Sequence, residues 1–247
     1  VAIRAHDIWI MDKGFSVKIT DKCQVDLINF MGDDLTVVNA ARVSFDNASS
    51  WDESTSDFDG SIKKSLPERD AKLIRYLAKH GHYTPFTHGV ITMRETVPQF
   101  VARQRFKHVV GFSYNEVSRR YVEDEPEFFI PDNWRGKAAN KKQGSSDESV
   151  SLDVSMNFGS MKAFCKNALR DYKTLLDCGV CPEQARMILP QNMMTSYYVT
   201  GSLSAWARAF NLRADPSAQK EIRDLSGMWD LIIRPLFPIS WEALCVY

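Results

Sequence analysis

No apolar run in this chain approaches the roughly 20 residues that cross a bilayer, and neither charge is in excess: 31 Lys+Arg stand against 31 Asp+Glu. The first absence argues against a membrane-spanning protein. The second argues against a general nucleic-acid or membrane-surface binder, which needs a basic field. The sequence also lacks G-x-G-x-x-G, a P-loop and a G-x-S-x-G elbow, so a Rossmann enzyme, an ordinary NTPase and an α/β-hydrolase all recede. Cysteines are few and odd in number: Cys23, Cys165, Cys178, Cys181 and Cys245. That usage fits a reducing, cytoplasmic compartment better than a disulfide framework. The opening VAIRAHDIWIMDKGF carries no signal-peptide pattern. Repeats and convincing linkers are missing too, so residues 1–247 read as one domain with polar loop insertions at about 47–66 and 131–150.

What remains is an ordinary globular composition, 44% hydrophobic and 25% charged, and a chain long enough for a sizeable core. Asp33 or Asp34 caps a helix that runs into TVVNAARVSF. Pro67 opens a second helix with a Leu73, Ile74 and Leu77 stripe, ended by Gly81. GVITMRETV alternates like a strand. Pro98 restarts a helix through about His108, broken by Gly111, and EFFIP is expected as a short strand. The longest helix is expected over about 152–178, burying Met161, Phe164, Ala168, Tyr172 and Leu175. A short helix follows Pro182, NMMTSYYVT reads as extended, and SLSAWARAF and AQKEIRDLSGMWDLII read as amphipathic helices. The fold class is α+β, with a mixed sheet and several helices.

Some apparent motifs have plain explanations. CGVC at 178–181 falls between a helix stop and the Pro182 helix start, so a turn is preferred to a redox pair. His80, His82 and His88 lie close in HGHYTPFTH, but spacings of two and six do not share one helical face, and no metal is assigned. RQRFKHVVGFSYNEVSRRY, residues 103–121, is harder to dismiss. It gathers Arg103, Arg105, Lys107, His108, Arg119 and Arg120 against one acid, Glu116, in a neutral chain. On a helix, Gln104, Lys107 and His108 stand at i, i+3 and i+4. If SYNEVSRRY is extended, Glu116, Ser118 and Arg120 point one way. A hydroxyl beside a guanidinium suits a phosphate. Arg213 in NLRAD, by spacing alone, reads as a cation capping the end of its own helix.

Several of these stretches, in order, resemble the flavin-dependent thymidylate synthases, the ThyX family: MDKGF, MGDDLTVVNAARVSFD, KLIRYLAKHGHYTPFTH, FVARQ, SYNEVSRRY, EFFIP, CGVCPEQARMILP and FNLRAD. The resemblance implies reductive methylation of dUMP to dTMP, with 5,10-methylenetetrahydrofolate as carbon donor and FAD, reduced by NADPH, as hydride source. It implies a ThyX-like homotetramer, with dUMP and folate as small-molecule partners and neither nucleic acid nor membrane. By motif matching it places Ser44, His82, Thr84, Lys107, His108, Val109, Glu116, Ser202, Ser204 and Arg208 at the flavin. It places Gln104, Lys107, Glu116, Ser118, Arg120, Arg186 and Arg213 at dUMP, with Arg186 reaching in from a neighbouring subunit. Arg213 is the catalytic residue, favouring ionisation of the uracil. The chain departs from the family at the Arg-His-Arg flavin triplet, which here reads KHV, and at an Asn-x-Arg pair, where it has TGSLS. Two other readings are a nucleotide-binding relative without flavin chemistry and a histidine-based metal hydrolase.

Overall fold

The structure, a computed structural model, describes residues 8–11, 14–20, 23–55, 62–122, 124–138, 144–150 and 161–245. Strands Ile8–Met11 (β1), Gly14–Thr20 (β2) and Cys23–Met31 (β3) form consecutive antiparallel pairs. Helix Asp34–Arg42 (α1) starts at Asp33, whose carboxylate accepts from the Thr36 backbone N–H at 2.8 Å while Thr36 Oγ1 accepts from the Asp33 N–H. The neighbouring Asp34 is therefore not the cap. It is buried and accepts from the backbone N–H groups of Ile239 and Ser240.

The loop expected at 47–66 contains a hairpin, Asp52–Thr55 (β4) with Ile62–Ser65 (β5). Helix Glu68–Lys79 (α2) buries Ile74 and Leu77, and Gly81 follows it at φ +70°. Strand Val90–Pro98 (β6) turns directly into helix Gln99–Arg105 (α3), shorter than the expected run to His108, and strand Phe112–Glu116 (β7) returns after Gly111. The second polar loop holds another hairpin, Arg135–Lys137 (β8) with Ser145–Ser149 (β9). EFFIP forms an isolated bridge between Phe128 and Met193 rather than a strand.

Helix α4 is described over Met161–Asp177; the part of its expected range before residue 161 lies outside the described residues, as do Asp12 and Lys13 of MDKGF. Its buried side chains are Cys165 and Tyr172, whereas Phe164 is exposed, so the expected stripe is rotated. Helix Pro182–Ala185 (α5) leads to strand Met194–Ser202 (β10), and helices Leu203–Arg213 (α6), Lys220–Leu236 (α7) and Pro238–Leu244 (α8) complete the fold.

The main sheet runs β1-β2-β3-β6-β10-β7. The expected mixed sheet is instead antiparallel in every pairing among the described residues. β10 enters between β6 and β7, so chain segments distant in sequence lie side by side. Alternation gives the sheet one apolar face. Ile91, Met93, Val97, Tyr197 and Val199 pack there against Trp206, Trp229, Ile233 and Trp241. The opposite face is polar, with Thr92 and Thr200 hydroxyls 2.9 Å apart and Arg94 Nε donating to Ser196 Oγ at 2.9 Å.

Candidate functional site

The first grouping lies where β7 ends and β10 begins. Glu116 closes β7 and its carboxylate accepts from Thr195 Oγ1 at 2.6 Å. Ser118 and Arg120 lie beyond the strand end rather than within it, because β7 stops at Glu116. Glu116, Ser118 and Arg186 line one open cleft of about 940 Å³. Arg120 does not line it directly. Its Nε donates to Ser118 Oγ at 3.3 Å and its Nη1 lies 3.5 Å from Glu183, which does line it. Arg186 lines the cleft within the same chain as Ser118. Arg119 of the cationic run also faces this cleft, as does Arg94, which sequence reading did not single out. A cue for Arg94 was available in the alternation of VITMRETV, which places it on the face opposite Met93 and so away from the core.

The second grouping surrounds the first turns of α6. Ser202 is its N-cap, accepting from Ala205 N at 3.3 Å, and Ser204 lies 3.3 Å from it. Ser202 N–H donates to Gly111 O, and the exposed Arg208 donates to Val110 O, so this helix end anchors the 106–111 segment. Lys107 is exposed there. Val109 is exposed as well, and its side chain offers no polar group. The 84–87 turn, carrying the exposed Thr84, packs against both α1 and α6. Ser44 is exposed just beyond α1, and the His82 ring lies near-parallel to Tyr76 with centroids 6.3 Å apart. Among the described residues no three His, Cys, Asp or Glu side chains converge in a way that would hold a metal ion.

The third grouping is at the other end of α6. Arg213 does not cap its own helix, as spacing suggested. Its Nε donates to His108 Nε2 at 2.8 Å and its Nη2 to the Gln104 carbonyl at 3.3 Å. Gln104 in turn donates to Gln219 at 2.6 Å, and Gln219 to Glu221 at 2.8 Å. Arg135 completes the row with a 2.8 Å contact to Glu221. His108 is buried, and burial first, then the charges of Arg105, Arg213 and Arg208, push it down to about 4. A neutral imidazole is what the Arg213 N–H requires, since only an unprotonated Nε2 accepts. Burial and the charge of Arg105 lower the Arg213 guanidinium below its ordinary value; a guanidinium nonetheless stays charged in proteins.

Beneath this cluster lies a buried ion pair that motif reading passed over. Arg105 Nε is 3.3 Å from Glu95 Oε1, and both side chains are fully buried. The signal was present in VITMRETV: Glu95 shares the strand parity of Ile91, Met93 and Val97, and a carboxylate on a core face requires a partner.

The sequence profile of the Thy1 family, described as thymidylate synthase complementing protein, matches residues 26–239. A flavin-dependent thymidylate synthase of Thermosipho africanus is 38% identical over 232 residues, covering 92% of each chain. The flavin-dependent thymidylate synthase of Thermotoga neapolitana is 36% identical over 240 residues, covering 97% of this chain and 94% of that protein. The crystal structure of the UMP/dUMP methylase PolB from Streptomyces cacaoi, bound with 5-Br dUMP, superposes with a TM-score of 0.73 at 28% identity, over 90% of this chain and 94% of PolB.

Proposed function

Because the chain belongs to the Thy1 family of thymidylate synthase complementing proteins, we propose that it is a flavin-dependent thymidylate synthase that methylates dUMP to dTMP. Methylenetetrahydrofolate is the carbon donor and NADPH the reductant in this reading. One domain spans the chain, four copies form the working assembly, and the enzyme is cytoplasmic.

The observation that carries the reading is the cleft at the end of β7, where Ser118 and Arg186 converge from separate motifs. Its volume of about 940 Å³ suits a nucleotide. Ser118 and Arg120 hold the phosphate through a hydroxyl and a guanidinium fork. Arg120 exchanges the Glu183 carboxylate for that phosphate. Arg186 supplies further charge, and Gln104 and Glu116 orient the nucleotide. Arg213 places positive charge against the uracil ring, favouring ionisation at N3 and enriching C5 in electron density. No cysteine of this chain is required as a nucleophile.

The donors at the other groupings fit FAD. Ser44, Thr84, Ser202 and Ser204 offer hydroxyls, Lys107 and Arg208 offer cations for a pyrophosphate, and His82 on Tyr76 presents a flat imidazole. His108 is already engaged by Arg213, so its part on the flavin side is indirect. When bound, the flavin supplies hydride chemistry. The chain's own residues bind, orient and polarise.

Val109 is the specific observation behind a second reading, a nucleotide-binding relative without flavin chemistry, because it puts a methyl-bearing side chain where the family carries an arginine. The test is to incubate the protein with dUMP, FAD, NADPH and methylenetetrahydrofolate and to measure dTMP chromatographically. Formation of dTMP that depends on added FAD is expected. Binding of dUMP without any dTMP would favour the second reading, and failure to bind either ligand would overturn both.

A further inference from the structure

Arg105 is an unusual core residue. Its guanidinium carbon lies 4.3 Å from the Phe112 ring centroid, 5.2 Å from Tyr114, 4.7 Å from Trp206 and 4.7 Å from Trp229. Those rings favour a cation, but a buried ion pair is often no more stabilising than apolar side chains of the same volume. Stability alone therefore does not account for Arg105 and Glu95. Their hydrogen bonds suggest another purpose. Glu95 is clamped on its far side by Tyr197, whose hydroxyl donates to Oε2 at 2.5 Å. Arg105 Nη1 donates to the Tyr114 hydroxyl at 2.6 Å, and that hydroxyl donates to the backbone carbonyl of His108 at 2.8 Å. The His108 imidazole then accepts from Arg213. An unbroken line of contacts thus runs from β6 through α3 and β7 to the 106–111 segment and the end of α6.

We propose that Arg105, paired with Glu95, is a positioning residue for Arg213: through Tyr114 it fixes the His108 segment, so that the imidazole grips one side of the Arg213 guanidinium and leaves Nη1 turned to a bound uracil. The inference rests on the reading of Arg213 given above. It accounts for two features together. Arg213 uses Nε and Nη2 within the protein, and no described residue accepts from Nη1. The charges facing His108 are all cationic, Arg105 from α3 and Arg208 and Arg213 from α6. Tyr114 on β7 stays a neutral donor, pushed up to about 12 chiefly by burial. Burial, helped by the charge of an arginine in the core, thereby keeps a histidine unprotonated and able to accept from a second arginine.

The test uses the full-length protein and two variants, Glu95→Leu/Arg105→Met, which replaces the pair with apolar side chains, and Tyr114→Phe, which keeps the ring but removes the bridging hydroxyl. The His108 imidazole is titrated by NMR without ligands, and kcat and KM for dUMP are measured in parallel. In the double variant the His108 midpoint should rise above about 4 by the share that the Arg105 charge contributes, while burial and the charges of Arg213 and Arg208 keep it below the ordinary value of about 6.5. Its kcat should fall about tenfold or more, with the acid limb of the pH profile moving up by the same interval. Tyr114→Phe should lower kcat with little change in FAD retention. If the double variant does not fold, Tyr114→Phe alone decides. A folded variant with an unmoved His108 midpoint and wild-type kcat would overturn the proposal. Should wild-type protein make no dTMP, the reading of Arg213 fails, while the His108 titration still decides whether Arg105 governs that imidazole.

Discussion

At the residue scale, the central object is a hydrogen bond between two side chains 105 positions apart, Arg213 and His108. Sequence spacing placed Arg213 at a helix end, which is correct, and inferred a cap, which is not. Local spacing carries no information about a partner on another element, and only the packing of α6 beside the 106–111 segment supplies it. His108 has a consequence for stability. Burial and the nearby arginines hold it at about 4 in the folded protein, against about 6.5 when unfolded. Between those values the unfolded chain binds the extra proton. The stabilisation is therefore complete above about pH 6.5 and is lost as pH falls toward about 4. Urea unfolding at about pH 7 and about pH 5 should show wild type losing about 2 kcal/mol more than His108→Gln over that interval. Equal losses would mean that His108 is not held neutral. In the cleft, Arg120→Lys keeps the charge but removes the planar fork. A charged hydrogen bond is worth roughly 1.5–3 kcal/mol, so calorimetric dUMP affinity should weaken about tenfold to a hundredfold. An unchanged affinity would remove Arg120 from the phosphate site.

At the scale of elements, strands and helices with strong periodicity were legible: β6, α2, α6 and α7 stand where alternation or three-to-four spacing puts them. The hairpins β4–β5 and β8–β9 were not, because their residues, Ile62 apart, are polar and carry no alternation to read. β10 was legible as extended, but its place between β6 and β7 was not, since pairing order is a long-range property. That pairing depends on a glycine. A Cβ added at Gly201 would lie 2.4 Å from Phe112 Cδ1 and 3.2 Å from the Gly111 carbonyl. The Phe112 ring is also a wall of the Arg105 cage, so it cannot shift freely. Gly201→Ala should destabilise the fold by about 1–3 kcal/mol. Gly227 lies inside α7 with nothing within 4 Å of an added Cβ, and Gly227→Ala should instead stabilise by about 0.5–1 kcal/mol. Scanning calorimetry of the two variants checks the contrast, and a stabilised Gly201→Ala beside a destabilised Gly227→Ala would contradict this packing.

At the scale of the whole molecule, one chain holds most of the expected site residues in three places: the cleft at the end of β7, the first turns of α6, and the last turn of α6; Ser44 lies just beyond α1 and His82 beside Tyr76 of α2. Arg186 lines the cleft, while Arg213 is not among its walls. The proposed assembly would let a second copy bring the two together at one site. Closed symmetry is the common way for identical chains to meet, and light scattering should give a tetramer mass at assay concentration. A fully active monomer would refute that assembly. The chemistry is tested most directly by assaying dTMP formation, with FAD, NADPH, dUMP and methylenetetrahydrofolate, in two folded variants: Arg213→Ala, and a variant with Cys23, Cys165, Cys178, Cys181 and Cys245 all changed to Ser. Charge on the uracil ring, rather than a thiolate adduct, is the proposed route. The cysteine-free variant should stay within about tenfold of wild type, a barrier change of about 1.4 kcal/mol, while Arg213→Ala should lose far more. A dead cysteine-free enzyme beside an active Arg213→Ala would contradict the account.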